Sequence, residues 1–390
     1  MNVPKLRFKE FNDEWNLTNI RNISFLVTKG TTPKKYEDNG INFVKVENIH
    51  DNLISNISSY ISGDTHNKEL KRSILKENDI LFSIAGALGR TAIVKKSILP
   101  ANTNQANAII RIENLDNIDL YYLLNRLNHT DITNYINKCQ SVGAQPNLSL
   151  EQVNNINISL PSISEQNKIG NMLFLLDKKI ELQSKKIEDL KLFKKGLIDY
   201  IINNIETEKI PLKNILVEQN YKTIKNNEYE ILSSTAKGIY LQKDYFNKQA
   251  ASDNNIGYKI LKKNQLVLSP QNLWMGNINI NKEYNIGIVS PSYKVFNINN
   301  NIDINFFNYW IKSAKALYEY KISSEQGASI VRRNLNMDLF YEIVADIPKG
   351  KWQNEIGKII KLLDLKVQYN ENSLQKLLVL KKGLMQNMFV

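Results

Sequence analysis

The chain has 390 residues with 51 Lys+Arg against 39 Asp+Glu, a formal charge of +12. That length predicts two or three folded units, and 42% hydrophobic residues let each bury a normal core, which excludes general disorder. The basic excess points to a polyanionic partner, while the single cysteine, Cys139, excludes a disulfide framework, a thiolate zinc site and a cysteine-ligated iron–sulfur cluster.

The three histidines, His50, His66 and His129, form no i, i+4 pair, so no histidine-rich metal site is expected. Residues 1–15 carry Lys5, Arg7, Lys9, Glu10, Asp13 and Glu14 without an apolar stretch, so no signal peptide is read there. Without a run of 18 apolar residues no membrane span is predicted, and the expected compartment is the cytoplasm.

Along the chain, short β-branched and aromatic runs at 41–46, 79–84, 91–94 and 108–112 predict strands, and 120–128 predicts a helix. The Gly86-Ala87-Leu88-Gly89-Arg90 segment reads as a tight turn between two strands. A long helix follows, with Ser162 and Glu165 spaced as a capping box. Its apolar seam runs Ile169, Leu173, Leu176, Ile180, Gln183, Ile187, Leu190, Lys194, Leu197 and Ile201, in steps of four and three. Strands are expected again at 265–269 and 287–296, and a helix at 305–317. The last segment repeats the seam as Ile356, Ile360, Leu363, Val367, Asn370, Leu374, Leu377, Lys381, Leu384 and Met388. Both series have the heptad period of a coiled coil, interrupted by polar residues at matching places, Gln183 with Asn370 and Lys194 with Lys381.

That match is an internal duplication. Pro161, Gln166, Asn167, Ile169, Gly170, Leu176, Asp177, Lys194, Gly196 and Leu197 all recur without a gap at one constant offset, the one that carries Gly170 onto Gly357. Lys76-Glu77-Asn78-Asp79 echoes Lys262-Lys263-Asn264-Gln265, and Gly89 aligns with Gly276. A period as long as the stretch from Gly170 to Gly357 means a repeated domain-plus-helix unit, one scaffold carrying two different surfaces. The boundaries read from it are a first domain at 1–161, a helix at 162–205, a second domain at 206–347 and a second helix at 348–390. The fold class is α+β.

Catalytic signatures are missing. There is no G-x-x-x-x-G-K-[ST] loop, no G-x-G-x-x-G after a strand, no G-x-S-x-G elbow and no Asp/Asn-Pro-Pro-aromatic tetrapeptide. Basic, amide, hydroxyl and aromatic residues gather instead in expected loops. In the first domain these are Lys29, Thr31, Thr32, Lys34, Lys35, Tyr36, Arg90, Asn102, Asn104 and Gln105. In the second they are Ser233, Ser234, Thr235, Lys237, Gln271, Asn272, Trp274, Arg332 and Arg333. Arg matches guanine edges, Asn and Gln match adenine edges, and Lys, Ser and Thr anchor phosphates.

The whole pattern resembles the specificity subunit of type I restriction–modification systems. The resemblance rests on Gln166-Asn167-Lys168-Ile169-Gly170 with Leu175-Leu176-Asp177 and Lys194-Lys195-Gly196-Leu197, on Asn147-Leu148-Ser149 leading to Pro161, on the 86–94 turn, and on Pro4-Lys5-Leu6-Arg7-Phe8 with Glu14-Trp15. The second copy departs at Gly350–Trp352 and has no match to Gly30-Thr31-Thr32-Pro33. The resemblance implies two target-recognition domains, each reading half of a bipartite double-stranded DNA target. It also implies that the two long helices pair as an antiparallel coiled coil that spaces the domains. Two methyltransferase subunits would dock on the helices, and restriction/translocase subunits would join them. AdoMet, ATP and magnesium would belong to those partners, leaving this chain non-catalytic. A self-contained DNA methyltransferase or nuclease and a structural coiled-coil adaptor remain the alternatives.

Overall fold

The computed structural model describes residues 3–139, 146–245, 254–326 and 333–390. The chain divides into two compact units, one of Met1–Lys185 with Asn372–Val390 and one of Lys186–Glu371. Each unit therefore takes the opening of one long helix and the end of the other.

Unit 1 contains β1 (Asn16–Asn19), β2 (Ser24–Lys29), β3 (Ile41–Val44), β4 (Ile80–Ser83), β5 (Thr91–Ile93), β6 (Ala101–Thr103), β7 (Asn107–Ile112), α1 (Leu120–Leu127), β8 (Asn157–Leu160) and the start of α2 (Ile163–Asn203). Its main sheet is antiparallel in the order β2-β7-β4-β5, while β1 pairs with β8. The sheet is covered on both faces, which explains why its strands are apolar runs rather than alternations. Ile80, Phe82, Ala108 and Ile110 face a core with Leu123 and Leu127. Their neighbours Leu81, Ile109 and Ala92 face a second core with Val44, Leu75 and Val94. Adjacent residues thus fall on opposite faces, as the strand period requires. Truncating Phe82, which is fully buried, would cost about 3–5 kcal/mol.

Unit 2 takes the end of α2, then β9 (Thr207–Pro211), β10 (Leu216–Gln219), β11 (Leu232–Thr235), β12 (Gly238–Leu241), β13 (Lys259–Lys262), β14 (Leu266–Leu268), β15 (Ile278–Ile280), β16 (Ile286–Val289), β17 (Lys294–Ile298), α3 (Ile304–Trp310), α4 (Ala314–Ile322), β18 (Val344–Pro348) and the start of α5 (Trp352–Met388). Its main sheet, β10-β17-β14-β15, repeats the order of the first, and β9 with β18 repeats β1 with β8. The facial division recurs: Leu266, Leu268 and Phe296 belong to one core, Val267 and Val295 to another.

Within unit 1, Ile169 and Leu173 of α2 pack with Leu384 and Met388 of α5, and Lys381 Nζ lies 2.6 Å from Asp177 Oδ1. Within unit 2, Ile198 of α2 shares a core with Ile356 and Ile360, Lys191 Nζ lies 2.7 Å from Glu371 Oε1, and Lys194 is paired with Asp364. Early residues of one helix meet late residues of the other, so the two run antiparallel. Every seam position is buried or half-buried.

The repeated Gln-Asn-x-Ile-Gly has a structural reason. Gln166 Oε1 accepts from Asp119 N at 3.1 Å, while its Nε2 donates to Pro161 O and Asn117 O. In unit 2, Gln353 Oε1 accepts from Asp303 N and its Nε2 donates to Asn301 O. The glutamine ties the long helix to the turn that starts α1 or α3.

Three local expectations need correction. Ser162 Oγ accepts from Glu165 N at 3.4 Å, but the Glu165 carboxylate is taken by Arg7, whose Nε and Nη2 each donate at 2.8 Å, so it does not complete a capping box. The 287–296 run is two strands, because the Ser290-Pro291-Ser292 turn interrupts the ladder. The 305–317 helix is likewise two, because Ser313 Oγ accepts from Ala316 N and starts a new helix.

Candidate nucleic-acid interface

In unit 1 the candidate loops meet at one end of the main sheet. Gly30 follows β2 and lies so close to the carbonyls of Thr103 and Asn104 that a Cβ there would collide with backbone. This approach lets Thr31 N donate to Thr103 O at 3.1 Å and joins Thr32 to Gln105 by a hydrogen bond. Lys29, Thr31, Thr32, Asn104 and Gln105 are therefore brought together. Arg72, which the sequence reading passed over, joins them by donating from Nη2 to Thr31 Oγ1 at 3.3 Å. Nothing in its local sequence distinguishes it from other surface arginines.

Lys34 and Lys35 are exposed, the latter 3.2 Å from Glu37. Tyr36 lies edge-on to Phe43, with Lys45 Nζ 4.7 Å from its ring. Two expected contacts are internal instead. Asn102 is fully enclosed: Nδ2 donates to Leu70 O and Ser73 Oγ, and Oδ1 bonds His66 Nδ1. Arg90 turns inward, its Nη1 donating to Val46 O at 3.3 Å and Ile49 O at 3.2 Å. Asn102 and Arg90 brace the loops rather than extend from them.

In unit 2, Ser233 and Ser234 are buried in β11. Ser234 Oγ donates to Asn277 Oδ1 and accepts from Asn279 Nδ2, so it also belongs to the interior. Thr235 and Lys237 form the tip joining β11 to β12, where Lys237 N donates to Thr235 Oγ1 and the lysine side chain is exposed. The second loop, 269–276, presents Gln271, Asn272 and Trp274. Arg333 joins it: its N donates to Gln271 O, its Nε and Nη2 donate to Ser324 O, and its guanidinium lies 6.0 Å from the Trp274 ring. Arg332 lies outside the described residues.

Lys312, also missed in the sequence, connects these two loops. Its Nζ donates to Gly276 O at 2.7 Å and to Ala236 O at 3.3 Å. Burial pushes its pKa down to about 8. The signal for it is structural only, since a lysine within a run that the sequence gives as one helix reads as surface.

The first unit thus offers hydroxyls, amides and an arginine, the second an arginine beside a tryptophan ring with an amide and a lysine. These groups suit phosphate and base-edge contacts. Among the described residues, no group of three or more His, Cys, Asp or Glu could hold a metal ion, and no helix is long and apolar enough to cross a membrane.

Residues 12–192 match the family described as Type I restriction modification DNA specificity domain. That stretch, rather less than half of the chain, is similar to a type I DNA specificity domain. A Methanocaldococcus jannaschii relative, named as the MjaX type I restriction enzyme specificity subunit, is 28% identical over 206 residues, covering 50% of this chain and 47% of that protein. The Escherichia coli EcoBI specificity subunit is 32% identical over 136 residues, 33% of this chain and 27% of its own. The matches thus span about half or less of these relatives' lengths. In fold, the chain is similar to the crystal structure of a type I restriction–modification S subunit from M. genitalium, with a TM-score of 0.64 and 17% identity over 100% of this chain and 99% of that one. A second similar structure, from work on type I complex assembly and conformational transition, has a TM-score of 0.55 and 12% identity over 96% and 97% of the two chains.

Proposed function

We propose that this chain is the DNA-recognition subunit of a type I restriction–modification complex, with each unit reading one half of a bipartite target. The observation that carries this reading is one strand order used twice with unlike loops: Thr31, Gln105 and Arg72 at one sheet end, Gln271, Trp274 and Arg333 in the other unit. A duplicated scaffold with divergent loops suits two recognition tasks of one kind.

The long helices set the spacing between half-sites and dock two methyltransferase subunits, which restriction/translocase subunits join. Exposed apolar residues on the helices support a partner that binds twice: Leu175, Leu182, Leu192 and Phe193 have Leu362, Tyr369, Val379 and Leu380 as their counterparts in the repeat, all exposed. AdoMet, ATP and magnesium belong to those partners, and this chain contributes recognition rather than catalysis. The complex works in the cytoplasm.

The test is a domain exchange. Replacing residues 206–347 by the equivalent segment of another family member and mapping methylated positions in DNA should change one half-site only. Alteration of both halves would defeat independent reading, and methylation unchanged at both would defeat recognition by unit 2.

A further inference from the structure

The sheet end from which the 269–276 loop leaves carries a lysine cluster that the roles above do not use. Lys294 opens β17 opposite Leu268, the last residue of β14. Lys259 opens β13 opposite Val289, the last residue of β16. Lys222 forms an isolated antiparallel bridge with Lys259. One carboxylate answers two of the three: Glu218 Oε1 lies 2.9 Å from Lys294 Nζ and 4.0 Å from Lys259 Nζ.

This arrangement is electrostatically incomplete. Like charges directly opposite each other weaken a strand pair. Lys259 is only 7% exposed, yet the carboxylate nearest its ammonium is held more closely by Lys294. Burial lowers its pKa; Glu218 opposes the shift, while Lys294 and Lys222 add to it. A largely dehydrated cation short of counter-charge, at the rim of a candidate binding surface, is a ready place for an anion. The matching strand end in unit 1 also bears a lysine: Lys29 pairs with Ala108, whose counterpart in the repeat is Val295, the partner of Gln219.

We propose that Lys222, Lys259 and Lys294 form a phosphate site of unit 2 that holds the DNA backbone beside the bases approached by the 269–276 loop. The site rests on the DNA-reading function proposed above. It contributes affinity and register but no sequence preference, since phosphates are common to all sequences.

The test uses the full chain assembled with its methyltransferase partners, binding its target duplex and a scrambled duplex over a salt series. Lys222→Gln and Lys294→Gln should each flatten the plot of log affinity against log salt by about 0.9 if each lysine meets one phosphate. The loss should be several-fold at low salt, similar on both duplexes, and should fade at high salt. Glu218→Gln removes only the counter-charge, so it should tighten binding and steepen the slope, which a merely structural lysine cluster would not produce. Lys222 is exposed, so its substitution leaves the core intact. Unchanged slopes in both lysine variants, with melting temperatures like the parent's, would overturn the site while leaving DNA reading standing. A loss confined to the target duplex would also overturn it, as a base contact. A parent complex without preference between the duplexes would instead remove the function itself, and the site with it.

Discussion

Asp119 occupies the space that any side chain at position 170 would need. A Cβ built on Gly170 collides with the Asp119 carboxylate, which caps α1 by accepting from Tyr122 N at 2.6 Å. Asp303 and Gly357 repeat the relationship in unit 2, where Asp303 Oδ1 accepts from Asn305 N and Phe306 N. The glycine admits the cap, and the cap starts the helix that packs beside it.

Gly170→Ala should therefore displace the Asp119 cap and lower stability by about 1–3 kcal/mol, as overpacking plus loss of a cap. Thermal melting checks it. Adding Asp119→Ala should cost little more than the glycine change alone, because the two act on one contact.

The helix pair predicts charge complementarity by exchange. Asp177 pairs with Lys381 and Lys194 with Asp364, and in the repeat Asp364 is the counterpart of Asp177 and Lys381 that of Lys194. The duplication thus supplies each unit with one anion and one cation from opposite helices. Lys194→Glu should destabilise unit 2 by about 0.5–1 kcal/mol, the modest value expected of a partly exposed pair. Adding Asp364→Lys should recover most of it in chemical denaturation.

Lys312 predicts a pH dependence with a definite sign. Its folded-state pKa, about 8, lies below the ordinary lysine value because burial penalises the charge. Its contribution to stability is therefore unfavourable at neutral pH and improves as pH rises from about 8 into the ordinary lysine range. The melting temperature of the parent protein relative to Lys312→Met should rise across that interval. If unit 2 reads a half-site as proposed, affinity for it should move the other way, because deprotonation weakens the bonds to Gly276 O and Ala236 O. The variant should have a flatter affinity profile than the parent.

If the helices set the half-site distance, inserting one heptad into each should lengthen the rod by about 10.5 Å. At ~3.4 Å per base pair that is roughly three more pairs between unchanged half-sites. Methylation mapping reads the spacer directly, and an active variant that keeps the old spacing would show that the helices are not the ruler.

Much of this architecture was legible because duplication repeats its constraints. Asn78 and Asn264, noticed only as an echo, both adopt left-handed backbone, with φ of 71° and 67°, a conformation that asparagine tolerates better than most residues. Gly89 and Gly276 likewise share positive φ, at 78° and 84°. The heptad steps identified the helix faces, because burial along a rod follows period alone. Loop residues were harder. Asn102 and Ser234 look like surface polar groups in the sequence, yet both are consumed by buried hydrogen bonds among residues distant in the chain. Arg72 and Lys312 gain their places only when separate segments converge, and no local pattern encodes that convergence.

The packing of Met388 and Phe389 has a consequence for biosynthesis. Both pack in one core with Trp15, Tyr122 and Ile169, and Leu6 N donates to Asn387 O at 2.8 Å. Unit 2 is continuous in the chain, from Lys186 to Glu371, whereas unit 1 needs residues translated after all of it. The order of completion on the ribosome is therefore reversed: the second unit can finish folding while the first still waits with Trp15 and Tyr122 uncovered. Nascent chains should pass through an interval in which this apolar surface is open to chaperones or to self-association, ending only when Phe389 arrives.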